Sequence, residues 1–145
     1  LSRSLPGAPA PTRVRALTAD GLLRGQNIDL AKIDVEGHEP SVIAGMQRIL
    51  EEDRPIILSE FAPGTIQHIS GIAPAQYLHS IVAHRYVFAV IAHDGQVVAP
   101  GSSTEDILSI YAAEDEHHID LILLPEEKAN KTLEDLDASR AESSA

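Results

Sequence analysis

Asp34, Glu36, His38 and Glu39 put four ionisable side chains within six positions of one another. They close the run Ile28-Asp-Leu-Ala-Lys-Ile-Asp-Val-Glu-Gly-His-Glu-Pro40, in which an apolar strand gives way to acids, a glycine and a proline suited to the first turn of a helix. Ligands bind at the carboxyl ends of strands in open α/β sheets. Carboxylates there can accept a proton from a hydroxyl, favour a cationic group, or hold Mg2+ through oxygen. Asp34 leaves the strand where the sheet opens, and Glu36 shares its parity if the chain stays extended. Gly37 allows a tight turn or a close approach to ligand. Histidine as a type titrates near neutrality and serves as a general base, which brings in His38. Glu39 opens a helix, where negative charge is favoured by the exposed amides. Glu60 ends the next strand. Lys32 has the parity of Asp34 and reads as an ion-pair partner.

The elements that must position these groups follow from periodicity. Residues 28–35 read as a strand and residues 40–52 as a helix, with Val42, Ile43, Met46, Ile49 and Leu50 on one stripe. The Arg54-Pro55 step ends that helix. The unbroken apolar run of residues 56–60 is typical of a buried parallel strand. Pro74 starts a second helix with Tyr77, Leu78, Ile81 and Val82 inward, and residues 86–92 form a third strand. Asp94-Gly95 is a hairpin turn, with residues 96–99 as its returning arm. Ser102-Ser-Thr-Glu105 fits a capping box for a short helix through Tyr111, and residues 119–124 make a last apolar strand. Residues 14–17 read as a short strand. The expected fold class is α/β with a mostly parallel sheet and an antiparallel hairpin at its edge. Three stretches divide the chain: a flexible lead-in at residues 1–13, the domain at residues 14–125, and a polar tail at residues 126–145 lying outside the core.

Bulk properties narrow the function. The 145 residues suffice for one domain with a real core, and 43% hydrophobic content is that of a globular protein. A net charge of −11 excludes nucleic acid as partner, because phosphate backbones demand clustered Lys and Arg. No apolar run approaches the ~20 residues that cross a bilayer. The absence of cysteine removes disulfides, thiolate metal sites and cysteine nucleophiles, which is compatible with a cytoplasmic protein. His117-His118 follow the acidic run Glu114-Asp-Glu116 and read as a solvated patch, since no third metal ligand is suitably spaced. The chain begins with Leu1 and its one methionine is Met46, as expected for a piece of a longer product or one whose start lies upstream.

Lys32-Ile-Asp-Val-Glu-Gly-His-Glu39, then Val42-Ile-Ala-Gly45, then Pro55-Ile-Ile-Leu-Ser-Glu60, resembles the FkbM family of methyltransferases. Leu17-Thr-Ala-Asp-Gly-Leu-Leu23 resembles that family's threonine-leucine-aspartate segment, with Ala19 in the place of leucine. The resemblance implies a partial Rossmann-like class I methyltransferase fold and S-adenosyl-L-methionine as cofactor. It also implies O-methylation of a hydroxyl on a sugar or other small metabolite. The family's cofactor-binding glycine loop has no counterpart here: Gly21/Gly25 and Gly64/Gly71 lack the strand–turn–helix context. The chain therefore reads as the C-terminal part of such a domain.

For that chemistry Asp34, Glu36 and His38 are the catalytic candidates. Asp34 and Gly37 are assigned to the cofactor, Glu39 and Glu60 to the acceptor, and no residue to a metal. Five aromatic residues in the whole chain favour a polar acceptor over a flat aromatic one. Two other readings stand beside this one. The first is a Mg2+-dependent hydrolase or phosphotransferase using Asp34, Glu36 and Glu39; the second is an inactive relic of a methyltransferase.

Overall fold

The computed structural model describes residues 14–92, 95–114 and 117–143. Its first helix, α1 (Ala19–Leu22), is a single turn capped by Thr18, whose Oγ1 accepts from the Gly21 amide at 3.1 Å. Residues 14–17, expected as a short strand, have no regular structure and leave Val14 85% exposed. Strand β1 (Leu30–Ile33) is shorter than the apolar run that encodes it, because Asp34 already turns away from the ladder.

The helix expected over residues 40–52 is broken in two. Helix α2 (Glu39–Ala44) stops at Gly45, and the chain resumes as a turn that ends in a π-helical segment, Ile49–Asp53. The Thr18–Asp20 stretch fits into the break. The Asp20 amide donates to the Gly45 carbonyl at 3.1 Å, and the Asp20 carboxylate accepts from the Arg48 and Ile49 amides at 2.9 and 3.1 Å. An aspartate 28 residues upstream thus caps the second half of the helix.

Strand β2 (Ile56–Phe61) leads into α3 (Pro63–Ser70), α4 (Pro74–Ala83) and the hairpin of β3 (Tyr86–Ile91) with β4 (Val97–Gly101). The expected Asp94-Gly95 turn lies partly outside the described residues, at Asp94. Gly95 itself has φ +79° and donates to the Ala92 carbonyl at 2.8 Å. Helix α5 (Thr104–Ala113) is capped by Ser103, whose hydroxyl accepts from Asp106. Strand β5 (Ile119–Pro125) and helix α6 (Glu126–Ser143) complete the chain.

The sheet runs β1-β2-β5-β3-β4, and the expectation of a mostly parallel sheet is corrected here. Only β1 and β2 pair in parallel; the β2/β5, β5/β3 and β3/β4 pairings are antiparallel. β1, β2 and β3 do point the same way, but β5 inserts between β2 and β3 against both. Apolar periodicity encodes that β5 is buried and is silent on where it inserts.

One face of the sheet carries Ile33, Ile57, Phe61, Leu121, Leu123 and Phe88 into the main core, packed with residues of α2 to α5. Phe61 stacks with Tyr77 at 6.2 Å between centroids. The other face, with Ala89, Ile122 and Leu124, is covered by Ala129, Leu133 and Leu136 of α6. The segment from Glu126 was expected to lie outside the core. Instead, its few apolar residues recur at helical spacing and dock on the sheet. Among the described residues no helix is long and apolar enough to cross a membrane.

Arg54 fastens this helix. Its guanidinium meets both Glu127 oxygens at 2.9 Å, donates to the Leu50, His84 and Arg85 carbonyls, and lies 4.8 Å over the Tyr86 ring. The Arg54 hydrogen bond holds the Glu127 carboxyl down at about 2. A depressed carboxyl stabilises the fold above its ordinary value of 4.5, and that contribution is lost as pH falls from there towards 2. Acid titration followed by amide exchange is expected to loosen α6 across that window. Glu127→Gln should cost about 1 kcal/mol at neutral pH, given the half-exposed carboxylate, and should remove that part of the acid response.

Candidate functional site

Four strand ends meet at one side of the sheet: the carboxyl ends of β1, β2 and β3 and the amino end of β5. A cleft of about 130 Å3 opens among them, lined by Lys32, Asp34, Leu58, Glu60, Ile91 and Asp120 among others. Register explains its composition. Glu60 pairs with Asp120, and Asp120 with Ile91, so the three side chains rise from one face in adjacent strands. Ile91 and Asp120 also wall a wider hollow of about 390 Å3 that reaches Glu114 and His118.

Asp34 stands at the mouth, its side chain 43% exposed, with Oδ2 accepting from the Lys32 ammonium at 2.9 Å. That hydrogen bond raises the Lys32 pKa above its ordinary value. Glu60 is half-buried, and burial first of all raises its carboxyl pKa. Nearby Asp34, Glu36 and Glu39 push the same way, against a counter-effect from His118. The two strand-end acids therefore differ: one is paired with a cation, the other has an increased affinity for a proton.

The remaining acids of the cluster lie elsewhere. Glu36 is exposed on the turn after β1, in a left-handed conformation with φ +52°, and His38 is the exposed residue before α2. Neither lines the cleft. Gly37 is buried with φ +91°, and a Cβ on it would stand 2.7 Å from the Thr65 carbonyl oxygen and 3.0 Å from Ile69 Cβ. Its glycine is required by the approach of α3. Glu39 points inward, 1% exposed; its Oε1 accepts from the Val35 and Gly37 amides at 3.2 and 3.3 Å.

The fold brings Asp34 and Glu60 together with Lys32, and adds Asp120, which sequence reasoning passed over. The signal was one acid at the start of an otherwise apolar strand. Asp34, Glu36 and Glu39 do not converge: no group of three or more His, Cys, Asp or Glu among the described residues is placed to hold a metal ion.

A mixed α/β sheet with helices on both faces and acids at the open strand ends defines an α/β protein. Residues 7–94, more than half of the chain, match the Methyltransferase FkbM domain, and the chain belongs to that family of methyltransferases. No curated protein and no solved structure matches it at a significant level.

Two glycines make a contrast. Gly37→Ala should lower stability by about 2 kcal/mol or more, from positive φ and the contact with Thr65. Gly64→Ala, within α3 and with nothing within 4 Å of its added Cβ, should raise it by about 0.5–1 kcal/mol; urea denaturation reads both. Glu60→Gln should also stabilise the protein at neutral pH. A raised carboxyl pKa means that ionisation costs stability above it, so the gain should vanish below the ordinary carboxylate range. Thermal unfolding across pH checks that sign.

Proposed function

We propose that this chain forms the acceptor side of an O-methyltransferase pocket that uses S-adenosyl-L-methionine, with a hydroxyl of a sugar or similar small polar molecule as acceptor. The observation that carries the reading is the pairing of Asp34 and Glu60 at adjacent strand ends around one cleft, in a chain of the FkbM methyltransferase family.

The fit to the cofactor is one-sided. Carboxylates at the cleft suit a cationic sulfonium, but about 130 Å3 is room for only a few waters' worth of ligand and not for a nucleoside. Gly21 and Gly25 lie in or just after α1 and Gly71 follows α3, while Gly64 stands at a strand-to-helix junction, in the first turn of α3 after β2. When bound, the cofactor supplies a methyl group on a positively charged sulfur.

This chain's residues have the remaining tasks. Asp34, paired with Lys32, orients the acceptor hydroxyl and favours positive charge nearby. Glu60, with its raised proton affinity and partial burial, accepts the hydroxyl proton as the oxygen attacks; two carboxylates in unlike environments divide such roles. A polar acceptor suits the cleft, because hydroxyls donate to carboxylates and the aromatic residues Phe61, Tyr77 and Tyr111 are engaged with one another in the core.

The Mg2+ reading loses its support with Glu39, whose carboxylate is occupied inside its own turn. Calorimetry with S-adenosylhomocysteine and with Mg2+ separates the two; binding of Mg2+ alone would refute methyl transfer. In transfer of labelled methyl to sugars and polyols, Asp34→Asn is expected to lower turnover about a hundredfold while changing cofactor affinity much less. Unchanged turnover would remove Asp34 from the mechanism.

A further inference from the structure

Glu39 has an acidic side chain, is 1% exposed, and belongs to the acid cluster, yet it does not line the cleft. We infer that Glu39 is a positioning residue: its carboxylate fills the amide concavity of the Val35–Gly37 turn and thereby fixes where Asp34 and Glu36 stand. The inference rests on the reading of the cleft as the methyl-transfer site.

The geometry is specific. Amides two residues apart, those of Val35 and Gly37, converge on one oxygen, Oε1. Between them Glu36 is left-handed at φ +52°. Successive amides around a left-handed residue make the kind of concavity that elsewhere binds a free anion. Here the chain supplies the anion itself. A glutamate gains nothing intrinsically from a left-handed backbone, so the conformation depends on what the amides hold.

The turn is closed from the far side as well. Gly37 lies against the Thr65 carbonyl of α3, leaving no room to shift in that direction. Glu39 is itself anchored, since it opens α2 beside Pro40, and Ile43 one turn on is buried in the core. Asp34 directly precedes the gripped Val35 amide, so the direction of its side chain follows from the turn. The second oxygen, Oε2, is buried without a hydrogen-bond partner. One acceptor oxygen at the right depth is therefore enough, and glutamine retains it.

The test compares Glu39→Ala, Glu39→Asp and Glu39→Gln in the whole chain by amide exchange and NMR. In Glu39→Ala the Val35 and Gly37 amides should exchange at least about tenfold faster, Glu36 should leave its left-handed shifts, and the Lys32–Asp34 contact should be lost. Added formate should restore all three by entering the vacated concavity. Glu39→Asp, too short to reach both amides, should behave like the alanine variant, and Glu39→Gln like the parent. In methyl transfer, Glu39→Ala should lower kcat about a hundredfold, with little change in cofactor KM and with recovery in formate.

Unchanged exchange at Val35 and Gly37 in Glu39→Ala or Glu39→Asp would overturn the inference. So would a turn that opens while the Lys32–Asp34 contact and turnover stay as they were. Should Glu39→Ala fail to fold, Glu39→Asp against Glu39→Gln decides by the same signals. If the turn opens as expected but Asp34→Asn leaves transfer intact, the role given to Asp34 falls and the grip of Glu39 on the turn stands.

Discussion

Strand β5 runs between β2 and β3 against the direction of both, and much of the remaining architecture depends on that insertion. It brings Asp120 opposite Glu60 and so adds a third acid to a cleft that two strands alone would leave open on one side. It carries Leu121 and Leu123 to one face and Ile122 and Leu124 to the other, which gives the sheet two buried sides. It also delivers the chain to Pro125 at the edge where α6 can turn back over the second face.

The two ends of the sheet handle charge in opposite ways. At the Arg54 end opposite charges are paired: the Arg54 guanidinium with a carboxylate, carbonyls and an aromatic ring, and Arg85 with Glu126. Lys128 adds a hydrogen bond to the Arg54 carbonyl. That end is a fastening. At the cleft end, Glu60 and Asp120 face each other across the ladder, and the nearby cation, Lys32, is bound to Asp34. Burial of Glu60 raises its carboxyl pKa and so makes its ionisation costly, and groups perturbed in this way cluster at functional sites.

Much of this was legible in the sequence for a simple reason. Unbroken apolar runs bounded by Pro or Gly specify buried elements, so β2, β3 and α4 fell where expected. Other features depend on partners distant in sequence. The break in the helix after Gly45 is sustained by Asp20, and the burial of Glu39 by a turn whose left-handed residue is a glutamate, not a glycine. Helix α3 was given no place in the sequence reading, although Pro63 at its start and Gly71 after its end are proper helix punctuation. The apolar run of residues 119–124 puts Asp120 in a strand with buried leucines; only the register shows that it meets Glu60.

The docking of α6 bears on where this protein can be cut. Likeness to the family ends well before Glu126, and a domain boundary drawn from likeness alone would discard the helix. That trimming would uncover Ala89, Ile122 and Leu124 in one contiguous strip and leave Arg54 over Tyr86 without its counterion. An expressed domain shortened to Pro125 would thus present a bare sheet face to its neighbours in solution, the surface from which aggregation starts. The last helix, polar as it is, acts as the protein's built-in solubility shield.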